Sequence, residues 1–326
     1  MKSALGLLGF LAAVAGFEAF VQPTAAAETI TMVTTGKGSA QQWPIFIAIA
    51  KGYMAQNGVK LDLVAAPSSA EAVQQLAAGS ANLESGGLTD PLLAIDRGAK
   101  IAVLRVETQV APYSLWAKGA IKSIPDLRHR LISIGGAKDI TRIYLERTLT
   151  PNGVKPDEYD LIFAGTTGAR FAALSSGAVD ASLLIPPFSF RAKQIGLSHL
   201  ADVADYARDL PFTGYATNLA WAGAHTPLLL GFLTAMAKGV DWFYDDANRA
   251  EAISILVARS NLSDADVAAT YDYYRQLHVF DHRGSIESAT VRNLITAMQE
   301  MHDFDGPRAI DRFIDPDLTA IAAKIK

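Results

Sequence analysis

Three stretches of this 326-residue chain gather groups able to grip a small molecule. Gly135-Gly-Ala-Lys-Asp139 opens a predicted helix, and Lys138 there stands at the unfavourable end of the helix dipole. A cation in that place, with free N–H groups beside it, suits an anionic group on a ligand; a solvent-exposed lysine is the plainer alternative. Arg170, in the first turn of another helix, could clamp a carboxylate or sulfonate through two parallel hydrogen bonds. It could equally pair with Asp139 or Asp180 and only fix its surroundings. Glu84-Ser-Gly-Gly-Leu-Thr-Asp90 reads as a strand-to-helix loop. Its glycines let backbone N–H groups approach a ligand, and Ser85 or Thr89 can donate a hydroxyl. A tight turn before a capped helix would look the same.

Reaction chemistry finds less support. Cysteine is absent, so no thiol nucleophile exists. The six histidines, His129, His199, His225, His278, His282 and His302, fall outside the stretches above, and no HExxH or paired metal spacing appears. GxSxG and GxxxxGK[ST] are missing too, which leaves serine hydrolysis and nucleotide hydrolysis without a motif. No cofactor and no metal are expected.

Elements must position these groups, and Gly165 to Phe188 shows how. Thr166 and Thr167 offer N-cap hydroxyls, Phe171 and Leu174 share a helix face, and Gly177 ends the helix in a left-handed turn. Val179 to Ile185 suits an inner strand, and Pro186-Pro187 forces the chain out of the sheet. Ligands of open α/β sheets sit beyond the carboxyl ends of strands, so Ile185 to Phe188 should border a crevice.

The same order of elements is written twice. Asn57-Gly-Val-Lys60 precedes a predicted strand, Leu61 to Val64, then a helical Ser68–Gly79 stretch and Asn82 to Gly87. Asn152-Gly-Val-Lys155 precedes Tyr159 to Phe163, then Thr166 to Gly177 and the strand after Asp180. The tetrapeptide alone would mean nothing; the shared order predicts two similar lobes, each a βαβαβ unit.

Elsewhere, Thr29 to Thr34 alternates, is β-rich and reads as a first strand that enters the loop before Pro44, where a helix opens with proline at a tolerated position. Gln41 and Trp43 should sit at the ligand-facing edge, with Trp43 alternatively a hydrophobic staple. Ile101 to Val106 is a further strand. Pro112 to Ala117 and Thr217 to Ala222 resemble each other and read as paired crossover strands with hinge motion between them. From His225 the pattern is helical: Leu228 to Tyr244, Ala250 to Ala258, Ser263 to Leu277 behind a capping box, and Ser285 to about Met301, all expected on the first lobe's sheet. Short helices end the chain from Asp305.

Met1 to Ala27 has a lysine near its start, an apolar run from Ala4 and a closing Ala-Ala-Ala, the layout of a cleaved secretory signal peptide. With no cysteine after it, lipid attachment is excluded, and without disulfides the core must supply stability. A net charge of −4 without a basic stripe gives no footprint for nucleic acid.

Taken together, the leader, the duplicated lobes, the Ala172-Ala-Leu-Ser-Ser-Gly-Ala-Val-Asp-Ala181 motif and Pro186-Pro-Phe188 resemble the solute-binding proteins of ABC importers. Within these, the chain is similar to the nitrate/sulfonate/taurine and thiamine-pyrimidine binding group over nearly its whole mature length. The resemblance implies an α/β, two-lobed periplasmic-binding-protein fold of type II, with helix-flanked sheets joined by two crossover strands. Residues 28–115 and 218–326 would form lobe one and 116–217 lobe two. It implies a periplasmic monomer that closes by hinge bending over a small-molecule solute and meets a membrane permease and its ATPase. By position, ligand contacts would fall on Gln41 and Trp43, on Ser85, Gly86 and Thr89, on Gly136, Lys138 and Asp139, and on Thr167, Pro187 and Phe188, with Arg170 beside them. Some relatives of the fold are enzymes; one class carries its cofactor on a cysteine, which this chain lacks, and a pyrimidine synthase consumes a histidine with pyridoxal phosphate and iron. A binding protein, not an enzyme, is therefore expected, and a sensor that reports its solute to a receptor has the same sequence.

Trp43, Tyr113, Phe188 and Tyr215 could stack a planar ring while Lys138 and the helix starts hold an anion. Sulfonates, taurine, nitrate, small aromatic acids and pyrimidines all fit that description.

Overall fold

The computed structural model describes residues 28–36, 38–284, 286, 288–304 and 313–325. The expected signal peptide, Ser285 at the expected start of the last long helix, and 305–312 of the tail lie outside them.

Ten strands form two five-stranded sheets. In chain order they are β1 (Glu28–Thr35), β2 (Val59–Ala66), β3 (Leu83–Gly87), β4 (Ile101–Thr108), β5 (Ser114–Ala117), β6 (Leu131–Ile134), β7 (Asp160–Phe163), β8 (Ala181–Leu184), β9 (Ser198–Asp202) and β10 (Thr213–Asn218). The first sheet runs β2-β1-β3-β10-β4 and the second β7-β6-β8-β5-β9. In each, the first strand of a lobe pairs in parallel with the two that follow it, and one strand lies antiparallel between the third and fourth. The two sheets thus share one plan, as the repeated Asn-Gly-Val-Lys order predicts. Both repeats use glycine in the left-handed region on the way to their edge strand, at Gly58 (φ 71°) immediately before β2 and at Gly153 (φ 79°) ahead of the Pro156–Glu158 turn that leads to β7.

The helices on the first sheet's early half are α1 (Trp43–Ala50), α2 (Tyr53–Gln56), α3 (Ser69–Ala77) and α4 (Thr89–Asp96). The second sheet carries α5 (Ile140–Leu149), α6 (Thr167–Ser175) and α7 (Phe188–Gln194). After β10 come α8 (Leu219–Ala224), α9 (Thr226–Tyr244), α10 (Arg249–Val257), α11 (Asp264–Leu277), α12 (Ser288–Glu300) and α13 (Pro316–Ala322). Side-chain caps explain several starts: Ser68 accepts from Glu71 N, Thr166 from Ala169 N, and Ser263 from Asp266 N.

Packing follows the apolar stripes. Leu229, Phe232, Leu233 and Met236 of α9 bury against Ile30, Met32, Leu83 and Leu104 of the first sheet. Each such side chain contributes roughly 1.5–3 kcal/mol, enough to hold the long helix on the sheet without disulfides. Helix α12 behaves otherwise. Val291, Leu294 and Met298 share one core cluster with Leu92 of α4 and with Ile143 and Tyr144 of α5, so α12 bridges the lobes instead of packing on the first alone. An apolar stripe requires a partner but does not say which lobe supplies it.

The paired crossover strands are also corrected. Pro112 to Ala117 ends as β5 in the second sheet, whereas Thr217 and Asn218 finish β10 in the first, and Leu219 to Ala224 is helical because Asn218 caps it by accepting from Trp221 N. The chain passes between sheets at 109–113 and 203–212, so β10 leaves the expected second lobe and β5 joins it.

Candidate functional site

A cleft of about 490 Å³ lies between the sheets, beyond the carboxyl ends of their parallel strands. Thr35 at the end of β1, Ser85 to Gly87 of β3, and Ser68 and Ser69 at the start of α3 form one wall. Gly135 after β6, Gly165 after β7 and Ile185 after β8 form the other, with the starts of α6 and α7 behind them.

Arg170 dominates the second wall. It is 2% exposed, and its donors go to neutral oxygens: Nε to Leu183 O (3.1 Å), Nη1 to Gly165 O (2.8 Å), Nη2 to Tyr113 Oη (3.1 Å) and Thr167 Oγ1 (2.9 Å). Neither carboxylate weighed as its partner reaches it. Asp180 takes Lys118 Nζ at 2.8 Å, and Asp139 caps α5 by accepting from Thr141 N at 2.9 Å. Four of five guanidinium N–H groups are occupied, and the charge has no carboxylate partner among the described residues. A buried charge is costly unless compensated, and an anion in the cleft would supply that compensation.

Behind the opposite wall stand two carboxyls, Glu84 and Asp90, neither of which lines the cleft. Glu84 in β3 is 1% exposed, and burial, then the neighbouring charge of Asp90, pushes its carboxyl well above the usual range. Burial and then the charge of Asp139 raise Asp90 to about 7. Ser69 moderates that rise by lying close, without making a hydrogen bond of sound geometry. Burial also raises Tyr113, opposed by the charge of Arg170.

The sequence places Gln41, Ser85, Gly86, Asp139, Thr167, Arg170, Pro187 and Phe188 at this cleft, and all eight line it. Four expected contacts do not. Trp43 is fully buried: its Nε1 donates to Ala252 O at 2.8 Å and its ring meets Phe243 and Tyr271 edge-on, at 5.3 and 5.6 Å. The helical period turns it toward α10 and α11. Thr89 is wholly buried at the first turn of α4, because β3 continues to Gly87 where a loop was expected. Gly136 stands one residue past the wall that Gly135 forms. Lys138 turns away, its Nζ 3.6 Å from Asp303 Oδ1 and donating to Asp303 O at 3.2 Å. Of the other aromatics, Tyr113 lines the cleft, while Tyr215 is buried edge-on to Phe232.

Sequence reasoning missed Thr35, Ser69, Arg191 and the Ser260–Leu262 turn. The duplication contained a signal for one of them: Ser68-Ser69 occupies the strand-to-helix junction that Thr166-Thr167 occupies in the second lobe.

Two like sheets with a shared cleft at their strand ends define a two-lobed periplasmic-binding-protein fold. The chain belongs to the NMT1/THI5-like family, whose model matches residues 39–250. Its structure is similar to the ligand-binding component of an ABC-type import system from Staphylococcus aureus with zinc bound (TM-score 0.75, 15% identity, 90% of this chain and 99% of that one). It is similar to the alkanesulfonate-binding protein SsuA from Xanthomonas axonopodis pv. citri bound to MOPS (TM-score 0.71, 17% identity, 91% and 98%). It is likewise similar to the periplasmic nitrate-binding protein NrtA from Synechocystis PCC 6803 (TM-score 0.73, 13% identity, 91% and 85%). At these identities the likeness concerns the fold. No curated protein sequence matches the chain.

Proposed function

We propose that this chain is the extracytoplasmic solute-binding component of an ABC importer and holds a small organic anion in the interlobe cleft. The observation that carries the proposal is Arg170, buried in the wall of the cleft with neutral partners only. The import and binding roles named for proteins of the same fold point the same way. Phe188 and Tyr113 at the cleft favour a solute with a flat or apolar part beside its charge.

In this reading the signal peptide directs a monomer to the periplasm, the lobes close by bending at 109–113 and 203–212, and the closed form meets a permease and its ATPase. Among the described residues, no helix is long and apolar enough to cross a membrane.

A thermal-shift panel of sulfonates, nitrate, aromatic carboxylates and pyrimidines tests the proposal. Ligand at a hundred times its dissociation constant adds about 2.7 kcal/mol to the folded state, so a bound anion should raise Tm by several degrees. Response to neutral rings alone would contradict the anion assignment.

A further inference from the structure

The backbone passes from one lobe's hold to the other's at two aromatic residues. On the first crossing, Tyr113 stands next to β5, and its carbonyl oxygen accepts from Val203 N (2.9 Å) just after β9, so the second lobe holds it. On the second crossing, Phe212 N donates to Thr108 O (2.8 Å) at the end of β4, and Phe212 O accepts from Leu88 N (3.3 Å) just after β3. The first lobe therefore holds Phe212. One residue earlier, Pro211 O accepts from Tyr144 Oη of α5 at 3.0 Å and belongs to the second lobe.

The rings meet across this boundary. Phe212 lies edge-on to Tyr113 with centroids 5.1 Å apart, and Tyr144 packs beside both at 5.9 and 6.2 Å. Bending at the crossings must move the ring of Phe212 past that of Tyr113. The far end of the Tyr113 ring belongs to the binding wall: its Oη accepts from Arg170 Nη2 at 3.1 Å, and the guanidinium carbon lies 5.5 Å from the ring centroid. Tyrosine carries a rigid ring on few torsions, so whatever presses on the ring also places its hydroxyl.

We propose that Tyr113 is a positioning residue that couples Arg170 to the hinge: Phe212 keeps the Tyr113 ring seated, and the seated hydroxyl keeps the guanidinium in place at the cleft. Anion affinity then depends on Phe212, a side chain that offers an anion no hydrogen-bond donor. By reciprocity, an anion at Arg170 favours the lobe arrangement in which Phe212 is seated. This rests on the anion and hinge-bending readings above and adds a regulation of the same site.

The test is calorimetry of wild type, F212L, Y113F and the double variant with benzenesulfonate, ethanesulfonate, benzoate and nitrate as probes, beside a melting curve for each protein. F212L alone should weaken the tightest-bound probe about fivefold or more. Y113F keeps the ring against Phe212 and removes only the hydroxyl. In its background F212L should change affinity by less than about twofold, yet lower Tm as much as it does in wild type. F212M, closer in volume, replaces F212L if that variant does not fold. Phe212 also borders the cleft, and a direct contact with the probe would survive the loss of the Tyr113 hydroxyl. An equal weakening in both backgrounds, or none in wild type, therefore overturns the coupling and leaves the anion reading standing. Loss of all binding in Y113F would make the hydroxyl a ligand contact and overturn the positioning role. No binding of any probe by wild type overturns the anion reading and the coupling with it.

Discussion

Arg191 and Asp266 tie the lobes together beside the cleft: Nη2 and Nε of the arginine lie 2.7 and 3.0 Å from the same carboxylate oxygen, Oδ2. Arg191 stands on α7 of the second sheet and lines the cleft, while Asp266 is in the first turn of α11, which packs with the first sheet's helices. The pair is therefore a contact that opening of the lobes would break. In D266A the cost should be about 1 kcal/mol, since the arginine remains partly in water, or roughly 2–4 °C in Tm. Small-angle scattering of the ligand-free variant should show a larger radius of gyration than wild type. An unchanged radius would remove the pair from the closure equilibrium.

Asp90 makes stability depend on pH in a definite direction. Its carboxyl is raised from 3.8 to about 7 in the folded state, so the native protein binds more protons than the unfolded chain between those values. Stability from this group is full below pH 4 and is lost as pH rises through 7. Glu84 is shifted the same way. D90N should abolish much of the fall in Tm between pH 5 and pH 8, and at pH 8 should melt a few degrees above wild type. Parallel curves for the two proteins would contradict the assignment.

Trp43 tests packing apart from binding. W43F keeps a ring against Phe243 and Tyr271 but leaves Ala252 O without its indole donor, which should cost about 1–3 kcal/mol. Ligand affinity should stay within about twofold. A large loss of affinity at unchanged Tm would return the tryptophan to the cleft.

Lys138 offers the contrasting cation. Its ammonium faces Asp303, whose carboxyl burial raises and whose neighbours Arg142 and Lys138 lower. With a side chain 42% exposed, it contributes little, and K138A should shift stability by less than about 1 kcal/mol and leave affinity within about twofold. A hundredfold loss would restore it as a ligand contact.

What the sequence made legible is local. Ser263 and Thr166 stand at helix starts as their capping patterns require, and the doubled Asn-Gly-Val-Lys order reappears as two sheets of one plan. The same local signals put Ser85, Gly86, Asp139 and Arg170 at strand ends and helix starts, hence at the cleft. Distant partners were not legible. Trp43 is held by Ala252, 209 positions away, and Lys138 by Asp303, 165 away, and no periodicity carries such pairings. The Glu84–Gly87 stretch was read as a loop for its glycines. It is a strand because β10 and β1 pair with it on both sides. β10 itself enters between β3 and β4 of the first sheet after the chain has passed through the second, a tertiary placement that short-range pattern does not encode.

The most direct test of the central claim is calorimetric titration of R170A with whichever anion the panel shows to bind. Loss of a charge-assisted contact is worth about 1.5–3 kcal/mol, so affinity should fall by roughly ten- to a hundredfold, with R170K between wild type and R170A. Equal affinity in R170A, with the fold shown intact by its melting curve, would mean that the buried guanidinium serves Tyr113, Thr167 and the strand carbonyls alone and that the cleft is not an anion site.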